Sequence, residues 1–381
     1  MNPLGYLLIA AVSFSLPTSL TRAKVHGPFE SRGHRFRAHE ILKDRGVIWG
    51  MEFISKNEMI FTERAGGLYL FDVQSRKLVA IRGLNSHAKI AVHGQGGLLD
   101  IKTHPRFSKN RRIFLTYSEE TKKGKFTTVL ALAGVQDRRL KNFKVLFRAG
   151  PASSSHRHFG SRMAIRGDDL FFSIGDRGER ASAQKLDDDR GKIHRLKLDG
   201  KVPPDNPFFS TPKARKTLYS YGHRNPQGLS FHPVTGKLWS HEHGPRGGDE
   251  INIIKRGANY GWPVVSYGKE YWGPIRVGEG TSKPGMVSPL KQYTPSIAPS
   301  GMLFYSGKLF PKWRGHLFLG SLAYNHLGHL AISKGRVTFE NRLLKSLEMR
   351  VRDVEEGPDG FIYVSTDEGS LLRLTPFGPQ K

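Results

Sequence analysis

The chain has 381 residues, with 60 Lys+Arg against 33 Asp+Glu, a formal charge of +27, and 38% hydrophobic residues. That apolar content supports a sizeable core and excludes wholesale disorder. Cysteine is absent, which excludes disulfides, a thiolate nucleophile, Cys-ligated zinc, iron–sulfur clusters and attached c-type haem.

The first segment, from Met1 to Leu20, carries an apolar run over Leu4 to Leu16, and Thr21-Arg22-Ala23 then puts small side chains at the −3 and −1 positions of a cleavage site. This predicts a signal peptide over 1–23, with the exported chain, periplasmic or secreted, running from 24 to 381. The run is too short to span a bilayer, so no stable membrane insertion is expected. The densest basic stretches, 32–45 and 122–125, are short and interrupted. With no recognition helix or zinc-finger spacing beside them, they read as a solvated basic surface suited to an anionic envelope or acidic glycans, not as a nucleic-acid interface.

Short alternating strands follow in order. They include Gly67-Leu-Tyr-Leu-Phe-Asp72, Arg112-Ile-Phe-Leu-Thr-Tyr117, Asp169-Leu-Phe-Phe-Ser-Ile174, Gly236-Lys-Leu-Trp-Ser-His241, Gly315-His-Leu-Phe-Leu-Gly320 and Gly360-Phe-Ile-Tyr-Val-Ser365. Glycine and proline turns such as His104-Pro105, His232-Pro233 and Gly357-Pro-Asp-Gly360 separate them. Period-2 alternation with close turns, and no long 3.6-residue stripe, predicts an all-β chain. Recurrence at wide spacing favours a propeller. Six blades would take roughly 60 residues each and seven about 51, and length alone does not choose. No linker or low-complexity tract divides the chain, so 24–381 reads as one domain.

Four stretches are richer in Gly, His, Arg and Asn than a plain blade needs. In His93-Gly-Gln-Gly-Gly-Leu-Leu-Asp100 the glycines allow close backbone approach to a ligand or simply a tight turn, and Gln95 offers a donor and an acceptor. In His156-Arg-His-Phe-Gly-Ser-Arg162 a histidine beside glycine is a candidate base whose tautomer Asp176 would fix. Tyr221-Gly-His-Arg-Asn-Pro-Gln-Gly228 sets Arg224 beside Asn225, suited either to a carboxylate-rich ligand or to a stapled turn. His241-Glu-His-Gly-Pro-Arg-Gly-Gly-Asp-Glu250 aligns His241 with His243 but offers no third transition-metal ligand. Carbonyls around Gly244-Pro245 with Glu250 suit calcium better. There is no G-x-S-x-G elbow for acyl transfer.

Taken together, these segments resemble the soluble quinoprotein sugar dehydrogenases of the glucose/sorbosone dehydrogenase family, and within it the bacterial aldose sugar dehydrogenases. The resemblance rests on Gly94-Gln-Gly-Gly-Leu-Leu99, His158-Phe-Gly-Ser-Arg162, Ile174-Gly-Asp176, Pro204-Asp-Asn-Pro-Phe208, the 221–228 and 242–252 stretches, Asn259-Tyr-Gly-Trp-Pro263 and Arg350-Val-Arg-Asp-Val354. It implies a six-bladed β-propeller of four-stranded antiparallel blades that holds pyrroloquinoline quinone (PQQ) and calcium. It further implies oxidation of aldose sugars at C1 to lactones by hydride transfer to PQQ. By the same resemblance His158 is the base and Asp176 its partner; Gln95, Arg224, Asn225, Arg350 and Arg352 surround PQQ. The carbonyls of Gly244 and Pro245 hold its calcium, and Glu250 and Tyr260 hold a second. A cluster of arginines is the counter-charge that the three carboxylates of PQQ require. The electron acceptor is unspecified, and a monomer or homodimer is expected.

The chain departs from the family in three places. Ser321-Leu-Ala323 stands where relatives carry a cofactor-pairing lysine, Thr294 precedes Pro295 where glucose-specific relatives have Trp, and Arg157 precedes the base where they have Asp or Asn. Arg157 is the cation expected to compensate for Ala323. Two non-redox alternatives remain at this point, a calcium-dependent lactonase-type propeller and an acidic-glycan-binding propeller whose PQQ site has decayed.

Overall fold

The computed structural model describes residues 23–378, so the predicted signal peptide lies outside the described residues except for Ala23. Six antiparallel sheets make the six blades of a β-propeller. The first five span 48–80, 98–148, 163–221, 226–293 and 299–343, each with four strands in sequence order. The sixth takes Val351–Glu356, Ile362–Thr366 and Leu371–Pro376 from the C-terminal end and His34–Leu42 from the N-terminal end, so the two ends of the chain close the ring. A fifth strand, Lys24–Ser31, pairs outside His34–Leu42, one more than the four-stranded expectation. Among the described residues helix is confined to single turns such as Leu84–His87 and Phe107–Asn110. Among the described residues no helix is long and apolar enough to cross a membrane.

The alternation read from the sequence does something specific here. Successive side chains on a strand point to opposite faces, and each blade is covered on both faces by its neighbours. In Asp169–Ile174, Leu170, Phe172 and Ile174 pack with Phe114 and Leu130 of the second blade. Phe171 turns the other way, to Leu229 and Leu238 of the fourth. In the fifth blade Leu317 and Leu319 meet Trp239 and Ile251 of the fourth, while Phe318 meets Val351 and Leu372 of the sixth. Six clusters of this kind fill the six seams, with Ile60–Leu115 packing between blades one and two and Ile41–Phe61 between six and one. Burial at all six is what makes the ring cohere.

The innermost strands are tied together by one buried guanidinium. Arg162 Nη1 lies 3.1 Å from Asp100 Oδ1 and 3.0 Å from Asp353 Oδ1. Its Nε donates to the Gln227 carbonyl at 3.0 Å, and its Nη2 to the carbonyls of Trp49 and Arg352, each at 3.3 Å. It also lies over the Trp49 ring, 4.2 Å from the centroid. The two carboxylates in turn accept from the N–H groups of Met163 and Met51, at 2.7 and 3.0 Å. A charge buried this deeply is stable only with its donors matched, and here the partners come from blades one, two, four and six.

Candidate active site

Above Arg162 opens a cavity of about 320 Å³ lined by five of the six blades and by the 159–160 loop that leads into the third. Trp49, Gln227 and Arg352, whose carbonyls accept from Arg162, also line it, so the axial arginine fixes its floor. Three guanidiniums face the space, Arg64, Arg350 and Arg352, against one carboxylate, Asp367. Arg352 grips Asp367 with two bonds, 2.7 and 2.9 Å, and Arg350 Nε adds a third at 3.0 Å. Burial disfavours the Asp367 anion, but the arginines outweigh it and hold its pKa below the usual carboxylate value. Arg350 Nη1 also donates to the Leu322 carbonyl at 2.9 Å, and Arg64 Nη1 to that of Gly94 at 2.8 Å. The cations are therefore preorganised on the walls. The size and the cationic excess suit a flat, polycarboxylate ligand.

Gln95, Asn225 and Ala323 line the same cavity. Asn225 Oδ1 accepts from Gly160 N–H at 3.2 Å, while Gln95 Oε1 accepts from the N–H of His158 at 2.8 Å, joining the cavity wall to the candidate base. His158 sits in left-handed backbone, φ 59°. Its loop is accommodated by glycine: a Cβ on Gly175 would lie 2.2 Å from the His158 carbonyl oxygen, and one on Gly94 2.4 Å from that of His156. From the other side Arg177 donates to the carbonyls of Ser155 (2.5 Å) and Arg157.

The imidazole is buried, with Nδ1 2.6 Å from Asp176 Oδ1. A carboxylate at that distance assigns the proton to Nδ1 and leaves the Nε2 lone pair free. Asp176 Oδ1 also accepts from Gly178 N–H, and its Oδ2 from Trp262 Nε1, both at 2.8 Å. Burial first, then the nearby Arg224 charge, push the imidazole down to about 4 against the opposing pull of Asp176. It is uncharged at neutral pH, as a proton acceptor must be. A recess of about 30 Å³ lies beside it, lined by Asp176, Arg180, Arg224, Trp262 and Tyr271.

The next loop is an oxygen-rich turn. A Cβ on Gly244 would lie 2.2 and 2.3 Å from the carbonyl oxygens of Gly247 and Gly248, and one on Gly268 would lie 2.3 Å from that of Pro245. Glu242, Gly244, Glu250 and Tyr260 line a hole of about 10 Å³, the size of one small ion or water. Burial and the adjacent Glu242 push the Glu250 carboxyl up to about 8, so a cation would relieve this spot. The Tyr260 hydroxyl is spent on Lys255 N–H and the Ile253 carbonyl, 2.8 and 2.7 Å, which leaves only its backbone as a donor. Among the described residues no three His, Asp or Glu side chains converge as metal ligands. His243 Nε2 is committed to the Pro299 carbonyl at 2.7 Å, so His241 and His243 do not form a transition-metal pair.

One expectation is corrected. Arg157 is exposed and lines the cleft and recess on the far side of His158, away from Ala323. The cation sharing the cavity with Ala323, besides Arg350 and Arg352, is Arg64. Sequence reasoning also passed over Gln227 and Asp367 on the walls and Trp262 behind Asp176, and weighed His243 only as a metal ligand. Gln227 and Trp262 stood inside the quoted motifs, whereas Arg64 and Asp367 look like ordinary turn charges.

The family model for glucose/sorbosone dehydrogenases matches residues 46–373. Aldose sugar dehydrogenase YliI of Escherichia coli is 39% identical over 345 residues, 88% of this chain and 92% of that protein. The crystal structure of the soluble aldose sugar dehydrogenase from Escherichia coli in its apo form superposes with a TM-score of 0.86 at 36% identity, covering 90% of this chain and 100% of that one. Quinoprotein glucose dehydrogenase B of Acinetobacter calcoaceticus is 28% identical over 419 residues, 85% of this chain and 83% of that protein.

Proposed function

Because this chain belongs to the glucose/sorbosone dehydrogenase family, we propose that it is an exported, PQQ- and calcium-dependent aldose sugar dehydrogenase that oxidises C1 to a lactone. The observation that carries the reading is an uncharged, carboxylate-tethered His158 bonded through Gln95 to a cavity with three arginines. The names of the relatives support the substrate class and the cofactor.

The residues present fit both groups. Arg350, Arg352 and Arg64 would meet the carboxylates of PQQ, with Gln95 and Asn225 at its edges. The carbonyls of Gly244 and Pro245 would hold its calcium, and Glu250 with the Tyr260 carbonyl the second. When bound, PQQ supplies the acceptor for the hydride leaving C1, and calcium supplies Lewis acidity. The chain does the rest. His158 Nε2 takes the proton of the C1 hydroxyl as the C1–H bond breaks and the carbonyl forms. Asp176 holds the ring in the required tautomer and stabilises the imidazolium, and Trp262 and Gly178 hold Asp176.

A lactonase would place a metal on side-chain carboxylates in the axial channel. There Asp100 and Asp353 are already engaged by Arg162, which disfavours that reading. The test is reconstitution: purified mature protein is titrated with PQQ in excess calcium while aldoses reduce an artificial acceptor. No reduction with any aldose at saturating PQQ would overturn the proposal. Residues 1–23 support export, and cleavage near Ala23 is checked by N-terminal sequencing of protein recovered from the periplasm or medium.

A further inference from the structure

The recess beside His158 is too small for a sugar. At about 30 Å³ it admits a hydroxyl or a water or two, since one water needs some 10–15 Å³ on this measure. A pyranose whose C1 hydroxyl enters it must keep its ring outside, against whatever forms the rim. On that rim the structure presents Tyr271, 60% exposed, and the same loop carries Trp272, 75% exposed, and Ile275, 52% exposed. Single exposed apolar residues are ordinary. Three on one short loop beside a candidate base are not.

The loop is also held rigidly. Lys269 and Arg276 bridge in antiparallel fashion, and Glu270 N–H donates to the Ile275 carbonyl at 2.8 Å. That leaves Tyr271-Trp272-Gly273-Pro274 as the tip of a small hairpin. Arg180 clamps its base through two bonds to Glu270, 2.5 and 2.8 Å. Tyr271 is anchored to the site itself, its hydroxyl accepting from Arg224 Nη2 at 3.3 Å. Arg180 and Arg224 both lie near the Trp262 ring, 5.5 and 5.4 Å from its centroid, so hairpin and recess share one support.

We propose that Tyr271 and Trp272 form a sugar-ring platform that extends the site outward. The ring being oxidised packs on Tyr271, and a second glycosyl unit packs on Trp272, so reducing disaccharides and longer oligosaccharides are bound better than monosaccharides. The inference rests on the sugar-oxidising reading above. An exposed indole offers a flat apolar face to the C–H face of a pyranose, and Arg157 and Arg180 at the rim offer donors to its hydroxyls.

The test compares kcat/KM for glucose, maltose and cellobiose in the PQQ- and calcium-loaded wild type, Trp272→Ala and Trp272→Phe. At 75% exposure Trp272 contributes little to folding, so the alanine variant should fold normally. Trp272→Ala should raise KM for the disaccharides about tenfold, change glucose less than threefold and leave kcat for all three within twofold; Trp272→Phe should restore most of the loss. A parallel fluorescence titration of the unloaded protein with maltotriose should show a saturable change that Trp272→Ala abolishes. If no aldose is oxidised yet that change is present, the dehydrogenase reading fails and the platform stands. An unchanged disaccharide-to-glucose ratio in Trp272→Ala overturns the platform. So does a loss that appears only in turnover with a protein electron acceptor, which would make the hairpin a docking site. Absence of both the fluorescence change and any disaccharide preference in wild type overturns it as well.

Discussion

Placing a lysine at Ala323 should have effects of opposite sign in the empty and the loaded protein. The position lines the cavity with Arg64, Arg350 and Arg352, and the neighbouring Leu322 carbonyl accepts from Arg350. In the empty cavity a fourth cation meets three guanidiniums and only Asp367. At a separation of roughly 6 Å, with an effective dielectric between about 20 and 80, each like-charge pair costs about 0.7–3 kcal/mol. For a chain of this length 1 kcal/mol corresponds to about 1–1.5 °C in Tm. Three repulsions less the Asp367 attraction leave two pairs, about 1.4–6 kcal/mol, so Ala323→Lys without cofactor should melt about 1–9 °C lower. With a polycarboxylate in the cavity the lysine gains a charged hydrogen bond of about 1.5–3 kcal/mol, so PQQ should bind roughly ten- to a hundredfold tighter.

Thermal unfolding with and without PQQ in saturating calcium reads the first effect, and absorbance titration reads the second. Arg64→Gln should loosen PQQ on the same scale, and the double variant should recover much of it. If Ala323→Lys shifts both states alike, or leaves both unchanged, the side chain does not reach the cofactor and the assignment of Arg64 as the local counter-charge falls.

His158→Ala should lower sugar oxidation by about 10²–10⁴-fold while PQQ affinity stays within a few-fold, and more than a tenth of wild-type activity would remove His158 as the base. Arg350→Ala and Arg352→Ala should raise the PQQ concentration for half-reconstitution with little change in sugar KM at saturating PQQ; unaltered PQQ affinity in both would leave them only the role of holding Asp367. Burial holds His194, His241 and His329 down to about 3, and His158 and His316 to about 4. The unfolded chain takes up protons near 6.5 and the folded one only near 3–4, so stability is complete above about 6.5 and lost as pH falls toward 4, by up to 1.36 kcal/mol per unit for each group. Urea midpoints that stay level from pH 7 to 4.5 would contradict this.

How much of this was legible in the sequence depends on the distance over which each feature is encoded. Strands and turns are local, and Leu170-Phe171-Phe172 already shows a sheet with both faces buried. Blade number was not legible by division. The last blade is shared between the two chain ends, and long loops, as between Lys197 and Leu218 and between Ile254 and Lys291, inflate some blades. His158 and Asp176 could be paired because family motifs flank both. The bond from Arg162 Nη2 to the Arg352 carbonyl spans 190 residues, and nothing local in either marks it. Asp367, in a strand-to-turn Thr-Asp-Glu-Gly, reads as a surface acid until the ring brings it against two arginines. Trp272 was unmarked because an aromatic next to Gly-Pro looks like turn filler.

The charges around the cavity also bear on the strength of the base. An imidazole held near 4 is a weak proton acceptor at neutral pH, and a base works best when its pKa approaches the operating pH. The two largest causes are burial and Arg224. A cofactor in the adjacent cavity does not relieve burial, but an anion beside Arg224 offsets the second. Arg224, which lines the recess with His158, thus keeps the base weak until an anion offsets its charge, and loading should raise its pKa. Imidazole NMR of the unloaded protein should place His158 near pH 4, with Arg224→Gln moving it upward. The acid limb of kcat/KM, which reports the loaded enzyme free of sugar, should lie at least one pH unit higher. An acid limb coincident with the titration of the unloaded protein would show that the cofactor charge does not reach the base, and would leave Arg224 no part in coupling the two.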